Sequence, residues 1–441
     1  MTRPGLVLAL CLVARLGALV LVYADPGRHM APDSLGYESA ALALARTDRF
    51  GSVDDPARVE SVRTPGYPAF VAAVYRLVGE SHVAVLVVQI AVSVATVALV
   101  HTLARRLWGH GPALASALVL ALDPVSFHFA QLFLTDTLFA FCLMAAVGAG
   151  VALALGAGGA GRWAFGLGVA LAAATLVRPL AYYLVFPVVL GLVACRRALG
   201  WTGKETLRAV VLVGLPWLVL VGGWQARNCV FAGTCQVSTS QNRNLLWYRA
   251  AAVVAERDHV DLVEARKRIR QALPDRSGLA PGEVSALYGR TAWSLIREHP
   301  GLFGLVTLRG LVWVLADPGD PRPMLKSLGL DASSSIRTVG TAVLVSAAFA
   351  LPALYLLVVY AGAARGAWRG RRDAGRRRVI HLFVGGVGLY LALATAGPEG
   401  YARFRIPLMP LLALYAGRGL TQEASNVRAP RGSGASEGLR G

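Results

Sequence analysis

The chain has 441 residues, of which 55% are hydrophobic and only 16% are charged, and it carries a net charge of +19. A soluble domain has roughly a quarter charged residues, so this composition excludes an ordinary soluble protein and indicates a membrane protein. Basic residues between apolar segments are typical of cytoplasmic loops, so we predict no nucleic-acid partner.

Long apolar runs predict an all-α polytopic membrane protein, since roughly 20 apolar residues cross the hydrocarbon core as a helix. About ten transmembrane helices are expected, near residues 5–23, 82–104, 111–128, 137–156, 163–178, 180–195, 207–225, 338–360, 379–396 and 405–418. The positive-inside rule places the arginine run at 365–378 in the cytoplasm. The first outer loop is expected to hold juxtamembrane helices.

This topology divides the chain into four parts. They are residues 1–225, a catalytic transmembrane half with acidic outer loops 24–80 and 129–136; residues 226–337, an extracytoplasmic helical segment; residues 338–420, the C-terminal transmembrane helices; and residues 421–441, a disordered cytoplasmic tail. The apolar segment 302–316 is short and contains Arg309. If it crossed the membrane, the arginine run at 365–378 would lie on the outer side. We therefore predict an interfacial helix at 302–316.

Polar residues that could carry chemistry collect in the outer loops. Asp136 stands among apolar neighbours at a helix start, where an acid is costly unless it is paired or functional. It could equally cap that helix, and Asp33, after Pro32, could cap the helix that begins at Ser34. Arg63 could be an interfacial anchor, and Arg178 at an outer helix end is more simply a side chain that snorkels to the interface.

The order of these residues is more informative than any one of them. The chain contains Asp33 with Tyr37, then Arg63-Thr64-Pro65-Gly66-Tyr67-Pro68, Leu134-Thr135-Asp136, Trp224-Gln225-Ala226-Arg227-Asn228 followed by Gly233 and Asn244-Leu245, and Glu399-Gly400-Tyr401-Ala402-Arg403-Phe404-Arg405-Ile406-Pro407. Up to about Gly417 the sequence resembles the family-39 glycosyltransferases, which include protein O-mannosyltransferases and the lipid A aminoarabinose transferase. More broadly it resembles the GT-C membrane glycosyltransferases.

The resemblance implies a GT-C-like helical bundle in a bacterial plasma membrane, with an active site on the extracytoplasmic face. It implies transfer of a sugar from a polyprenyl-phosphate donor to a hydroxyl of a lipid, glycan or protein, with inversion. Asp33 is then the general base, and Asp136 positions a sugar or joins Asp33 at a divalent cation, a cofactor that is left open. The residues implied to bind substrate are Tyr37, Arg63, Tyr67, Arg403 and Arg405.

One position departs from this pattern. The aminoarabinose transferase has a glutamate directly before its basic residue, whereas this chain has Val62 there and its nearest acid is Glu60. The departure argues against the same sugar and acceptor. Two other functions stay open: a lipid or sugar transporter or flippase, which should show paired charges or broken helices near the bilayer midplane, and a non-catalytic membrane partner of a glycan-assembly complex.

Two cysteines lie in the outer segment just after a helix. Phe231-Ala232-Gly233-Thr234 between them is turn-forming material. Because an extracytoplasmic compartment permits disulfides, we predict a bond between Cys229 and Cys235. The alternative is a pair of unbridged, partly buried thiols.

The topology is directly testable. A reporter enzyme fused after Arg63 or after Asp136 is expected to be active only on the extracytoplasmic side, since both residues follow outward-directed segments. A reporter found in the cytoplasm at either position would contradict the topology and, with it, the outer active site.

Overall fold

The computed structural model describes residues 2–23, 27–55, 59–322 and 339–421, with side chains from residue 346 in the last range. The helices are α1 Arg3–Tyr23, α2 Ser34–Thr47, α3 Gly66–Val78, α4 His82–Trp108, α5 His110–Ala121, α6 Pro124–Phe129, α7 Asp136–Leu155, α8 Ala160–Val177, α9 Val185–Ala194, α10 Arg196–Leu199, α11 Gly203–Trp217, α12 Gly223–Ala232, α13 Ser240–Asn244, α14 Ala251–Asp258, α15 Leu262–Ala272, α16 Pro281–Glu298, α17 Pro300–Ala316, α18 Val339–Gly370, α19 Gly375–Thr395 and α20 Met409–Leu420. Short 3₁₀ turns cover Pro179–Leu184 and Ala402–Arg405, and π turns cover Leu218–Gly222 and Leu245–Ala250. The predicted disordered tail, apart from Thr421, lies outside the described residues.

The prediction of an all-α polytopic membrane protein is confirmed. Within the described ranges, the only β-pairing is an isolated bridge between Gly51 and Val59, and seven helices are long and apolar enough to cross a membrane. These seven are α1, α4, α7, α8, the continuous helix Gly203–Ala232, Ser346–Gly370 within α18, and α19. The remaining three predicted segments correspond to shorter helices: α5, Pro179–Ala194 and α20.

Helices approach one another closely where they carry small residues, as is common in membrane proteins. On α18, Gly362 and Gly366 are four residues apart and face α20. A Cβ atom on Gly366 would lie only 2.1 Å from the carbonyl oxygen of Tyr415, and one on Gly419 only 1.9 Å from the carbonyl oxygen of Gly362. These positions therefore require glycine for the observed helix pairing.

The segment that joins α19 to α20 packs against α17 in the same way. A Cβ atom on Gly310 of α17 would lie 1.9 Å from the carbonyl oxygen of Gly397, and one on Gly400 would lie 2.7 Å from Cγ2 of Val314. Helix α17 follows α16 after a bend of 103°. Its interfacial location stays a prediction, but its packing shows that it holds the loop before α20 in place.

The two ends of the bundle differ in chemistry. Helix α7 has 20 residues, so its ends lie about 30 Å apart. Asp136 is at one end, and Gly156 after the other end lies beside Arg376 of the basic cluster. At this basic end the Asp373 carboxylate accepts hydrogen bonds from His381 at 2.8 Å and Arg418 at 3.0 Å, which tie the α18–α19 loop to α20.

The α17 contact yields a stability prediction. Gly310→Ala is expected to lower the free energy of unfolding by about 1–3 kcal/mol, because the added methyl group overlaps the Gly397 backbone. Gly304→Ala on the same helix is the matched control, because no atom lies within 4 Å of a Cβ built there. Thermal melting in detergent measures both, and equal melting temperatures for the two variants would contradict the packing.

Candidate active site

One guanidinium joins the two acids that the sequence singled out. Arg403, in the 3₁₀ turn before α20, places Nε 2.9 Å from Oδ2 of Asp136 and Nη1 3.4 Å from Oδ2 of Asp33. Asp33 directly precedes α2 and Asp136 is the first residue of α7. Residues 33, 136 and 403 are thus brought to the same end of the bundle from distant parts of the sequence.

The two acids have different surroundings. The Asp136 side chain is fully buried, and its two oxygens bind Arg403 and Arg178. The Asp33 side chain is 47% exposed and contacts Arg403 and, at 3.3 Å, Nη2 of Arg63. Asp33 makes no side-chain hydrogen bond to the N-terminus of α2. The Asp33 carboxylate is therefore accessible from outside the protein, whereas both oxygens of Asp136 are engaged by arginines.

Arg178 belongs to this cluster, although snorkelling was its simplest interpretation from sequence. It ends α8, and its guanidinium lies against Asp136 with a side-chain exposure of 14%. The cluster therefore contains three guanidinium groups and two carboxylates, from Arg63, Arg178, Arg403, Asp33 and Asp136. The charges sum to one net positive charge, 3 − 2.

The positive charge of Arg403 is electrostatically favoured. Its burial alone would lower the pKa of the guanidinium. The carboxylate of Asp136, then Tyr401 and the carboxylate of Asp33, outweigh burial and raise the pKa of Arg403 above its ordinary value. Arg403 is therefore a permanent cation between the two acids.

Three residues of the Arg63–Pro68 motif position the start of α3. Thr64 donates its hydroxyl to the carbonyl of Val177 at 3.2 Å, and Pro65 precedes the first turn of α3. Gly66 lies so close to α8 that a Cβ atom would be 2.7 Å from the carbonyl of Leu176. The motif therefore fixes the start of α3 against the end of α8, which sets Arg63 near Arg178.

The two tyrosines differ in position. The Arg63 guanidinium lies over the face of the Tyr37 ring, with the guanidinium carbon 4.5 Å from the ring centre. Tyr37 therefore lines the cluster. Tyr67 is fully buried and donates its hydroxyl to Oε1 of Gln89 at 3.0 Å. Gln89 in turn donates to the carbonyls of Ala130 and Leu132. Tyr67 thus supports the second outer loop, and its contact with substrate stays a prediction.

Arg405 also lies away from the cluster. It is buried, and its Nη1 donates to the carbonyls of Val314 at 2.8 Å and Asp317 at 2.7 Å. Asp317 accepts a hydrogen bond from the backbone of Ala402 at 2.8 Å. Arg405 therefore satisfies the end of α17 and fixes the turn that carries Arg403. Its contact with the donor phosphate stays a prediction.

The far side of α2 is held by a polar network. Glu38 contacts the ring of His82, whose Nδ1 lies 2.8 Å from Nε2 of His29. The hydrogen bond from His82 is the largest influence on Glu38 and lowers its pKa, against burial. Ser34, four residues before Glu38 on the same face of α2, donates to the carbonyl of Phe133 at 2.7 Å. These bonds fix Asp33, at the start of α2, relative to the loop before Asp136.

The outer segment packs on the loop before Arg63. Arg227 donates to the carbonyls of Phe50 at 2.8 Å and Glu60 at 2.7 Å. Cys229, within α12, forms a disulfide bond with Cys235, with Cα atoms 4.4 Å apart. The chain reverses direction at the turn that this bond closes, and the residues that follow, Ser238 and Thr239, contact the loop before Arg63.

The cluster does not suit a divalent cation bound jointly by Asp33 and Asp136. The Arg403 guanidinium occupies the position between the two carboxylates. In the part of the chain that the structure describes, no group of three His, Cys, Asp or Glu side chains is arranged to hold a metal ion.

Residues 62–224 match the family model described as "Dolichyl-phosphate-mannose-protein mannosyltransferase". No curated protein matches the chain significantly. Among solved structures, the apo oligosaccharyltransferase of Archaeoglobus fulgidus is similar with a TM-score of 0.54 and 12% sequence identity, over 95% of this chain and 50% of that chain. This chain thus spans about half the length of the archaeal protein.

ArnT from Cupriavidus metallidurans, bound to undecaprenyl phosphate, has a TM-score of 0.45 and 15% identity, over 91% of this chain and 77% of that chain. The resemblance to GT-C membrane glycosyltransferases that the sequence predicts is confirmed, in sequence by the family model and in fold by the archaeal structure. The matched residues include Arg63, Asp136 and Arg178 but not Asp33 or Arg403.

The buried acid gives a second stability prediction. Asp136→Ala is expected to lower the free energy of unfolding by about 3–5 kcal/mol, because it leaves Arg178 and Arg403 without their shared partner in a buried site. Glu80→Ala, which removes a surface ion pair with Arg46, should leave the melting temperature unchanged. An Asp136→Ala protein as stable as the Glu80→Ala protein would contradict the buried pairing.

Proposed function

We propose that this protein transfers a sugar from a polyprenyl-phosphate donor to a hydroxyl acceptor at the extracytoplasmic face, with inversion. The observation that carries the proposal is a half-exposed carboxylate, Asp33, beside two guanidinium groups, those of Arg63 and Arg403. The cluster lies at the end of the bundle opposite the basic residues near Arg376, which we assign to the cytoplasm.

The charges fit this reaction. A polyprenyl-phosphate sugar is a phosphodiester with one negative charge, and the cluster has one net positive charge to receive it. When the sugar departs, charge develops on the phosphate oxygen, and a phosphomonoester has a second pKa near 6. Arginines positioned at that oxygen stabilise the developing charge without supplying a proton. A protonated acid for the leaving group is therefore unnecessary.

The proposed step is a single displacement. The acceptor hydroxyl oxygen forms a bond to the anomeric carbon while the bond from that carbon to the phosphate oxygen breaks. The electron pair of the broken bond leaves with the phosphate, which Arg63 and Arg403 bind. The hydroxyl proton passes to Asp33, the general base. Attack opposite the leaving group inverts the anomeric centre.

Asp136 acts through its arginines. Its carboxylate has no exposed surface, so we assign it the positioning of Arg178 and Arg403 in place of direct contact with a sugar. The aromatic face of Tyr37 holds Arg63 from below. The proposed site residues are therefore Asp33 as base and Arg63 and Arg403 at the phosphate, with Tyr37, Asp136 and Arg178 as support.

The location of the exposed carboxylate favours an enzyme over a transporter. A transporter needs a substrate site near the bilayer midplane. Here Arg15, in the middle of α1, is 1% exposed, and its Nη1 donates to Sγ of Cys11 and to the carbonyl of Ala121. The exposed carboxylate, Asp33, instead lies at one end of the bundle.

Replacement of the base tests the assignment. Asp33→Asn keeps the size of the side chain but cannot accept the proton, so transfer is expected to fall by about a hundredfold to ten-thousandfold while the protein stays folded and inserted. Asp54→Asn, an exposed acid in the same outer loop, is the matched control and should transfer at the normal rate. An active Asp33→Asn protein would refute the role of Asp33.

The substrates are found by one assay. Membranes that contain the protein are incubated with a set of radiolabelled polyprenyl-phosphate sugars, and the labelled product is isolated and identified. Transfer from one donor in membranes with the normal protein, and its loss with Asp33→Asn, would support the proposal. Failure with every donor, despite correct insertion, would refute it and favour a non-catalytic partner of a glycan-assembly complex.

A further inference from the structure

The outer helical segment carries a groove that is separate from the arginine–aspartate cluster. It has a volume of about 720 Å³ and lies between α13 and α16. Asn242 of α13 forms one wall, and Arg290, Trp293 and Arg297 of α16 form the other. None of these residues takes part in the proposed reaction.

Three large side chains on the groove side of α16 point away from its internal packing. Residues 290, 293 and 297 are spaced by three and four positions and share one face of the helix, while Ala292 and Ile296 are buried on the opposite face. Trp293 remains 47% exposed although it is a large aromatic residue. Its ring therefore presents an aromatic face beside the two arginines, and such a face can stack on a ligand ring.

The two arginines in the groove are available for a ligand. Arg290 and Arg297 form no hydrogen bond or ion pair with any residue in the described ranges. Arg297 lies over Trp293, with its guanidinium carbon 5.9 Å from the ring centre. The nearest acid in the lining, Glu298, accepts a hydrogen bond from Ser294 at 3.0 Å. The groove thus carries a net positive charge beside an exposed aromatic face.

The opposite wall is rigid. The Asn242 amide donates to the backbone carbonyl of Ser285 at 3.0 Å and to its hydroxyl at 3.2 Å. A Cβ atom on Gly289 would lie 2.9 Å from the Asn242 amide nitrogen. Glycine at this position therefore leaves room for the Asn242 side chain against α16.

The groove is connected to the proposed active site through the backbone. Just before α13, the amide of Thr239 donates to the carbonyl of Ser61 at 2.9 Å, and the hydroxyl of Ser238 donates to the carbonyl of Val62 at 2.6 Å. Residue 63, which follows, is the arginine that contacts Asp33. The segment that leads into α13, and so to Asn242 in the groove, is therefore hydrogen-bonded to the loop that carries Arg63.

We propose that this groove binds an anionic saccharide, as the non-reacting part of the acceptor, and this inference rests on the proposed function. The Trp293 indole stacks on a sugar ring, and Arg290 and Arg297 bind a carboxylate or phosphate on the saccharide. The polar and charged lining fits a saccharide better than a lipid chain, which would need an apolar groove. Binding there directs a hydroxyl of the same molecule to Asp33.

Direct binding measurements test this inference without requiring transfer. The full-length protein in nanodiscs is titrated calorimetrically with tetragalacturonic acid, mannose 6-phosphate and the neutral maltotetraose. One of the two acidic saccharides is expected to bind, and Trp293→Ala and Arg297→Ala should each weaken its affinity by about tenfold. Trp368→Ala, an exposed tryptophan on α18, and Arg268→Ala, an ion-paired arginine on α15, are matched controls that should bind normally.

The alternatives give distinct results. Absence of binding by both acidic saccharides, or equal binding by the normal and Trp293→Ala proteins, would overturn the inference. So would competition by phosphatidylglycerol vesicles that abolishes saccharide binding, because the groove would then be a lipid headgroup site. Asp33→Asn should bind the saccharide normally. Saccharide binding without transfer from any donor would refute only the proposed function, whereas transfer without saccharide binding would refute only this subsite.

Discussion

The site depends on one buried electrostatic arrangement. Asp136 has no exposed surface, and a buried carboxylate is stable only when cations and hydrogen bonds replace its hydration. Arg178 and Arg403 provide these contacts. Because Arg403 also reaches Asp33, the requirement of one buried acid draws the N-terminal loop, the start of α7, the end of α8 and the C-terminal turn into a single cluster.

The rest of the outer structure holds these arginines in place. Arg405 and Asp317 fix the turn that contains Arg403 to the end of α17, and the close approach of Gly310 to Gly397 allows that contact. On the other side, Gly66 brings the Arg63 loop against α8. These contacts explain how residues on short loops can form an ordered site. The helices set the positions of the loop residues, and the contacts leave those residues little room to move.

Sequence patterns predict the membrane helices and single out Asp33 and Asp136 as candidate site residues. They do not predict which groups the arginines contact. Apolar length reports a membrane helix directly, and a lone acid such as Asp136 in apolar surroundings is conspicuous. The partner of a guanidinium, in contrast, depends on which helix ends meet. From sequence, Arg178 is therefore interpreted as a side chain that snorkels to the interface. Arg405 is assigned the same substrate contact as Arg403 because the two are neighbours in sequence. Arg403 and Arg405 are two residues apart in a 3₁₀ turn, and their side chains contact different elements.

The central claim is that Arg63 and Arg403 form a phosphate site beside Asp33. The most direct measurement is a cryo-electron microscopy structure of the protein in nanodiscs with undecaprenyl phosphate. Phosphate oxygens are expected about 3 Å from the guanidinium groups of both Arg63 and Arg403, on the side of the exposed Asp33 carboxylate. A phosphate bound instead among the arginines of residues 365–378, at the opposite end of the bundle, would contradict it.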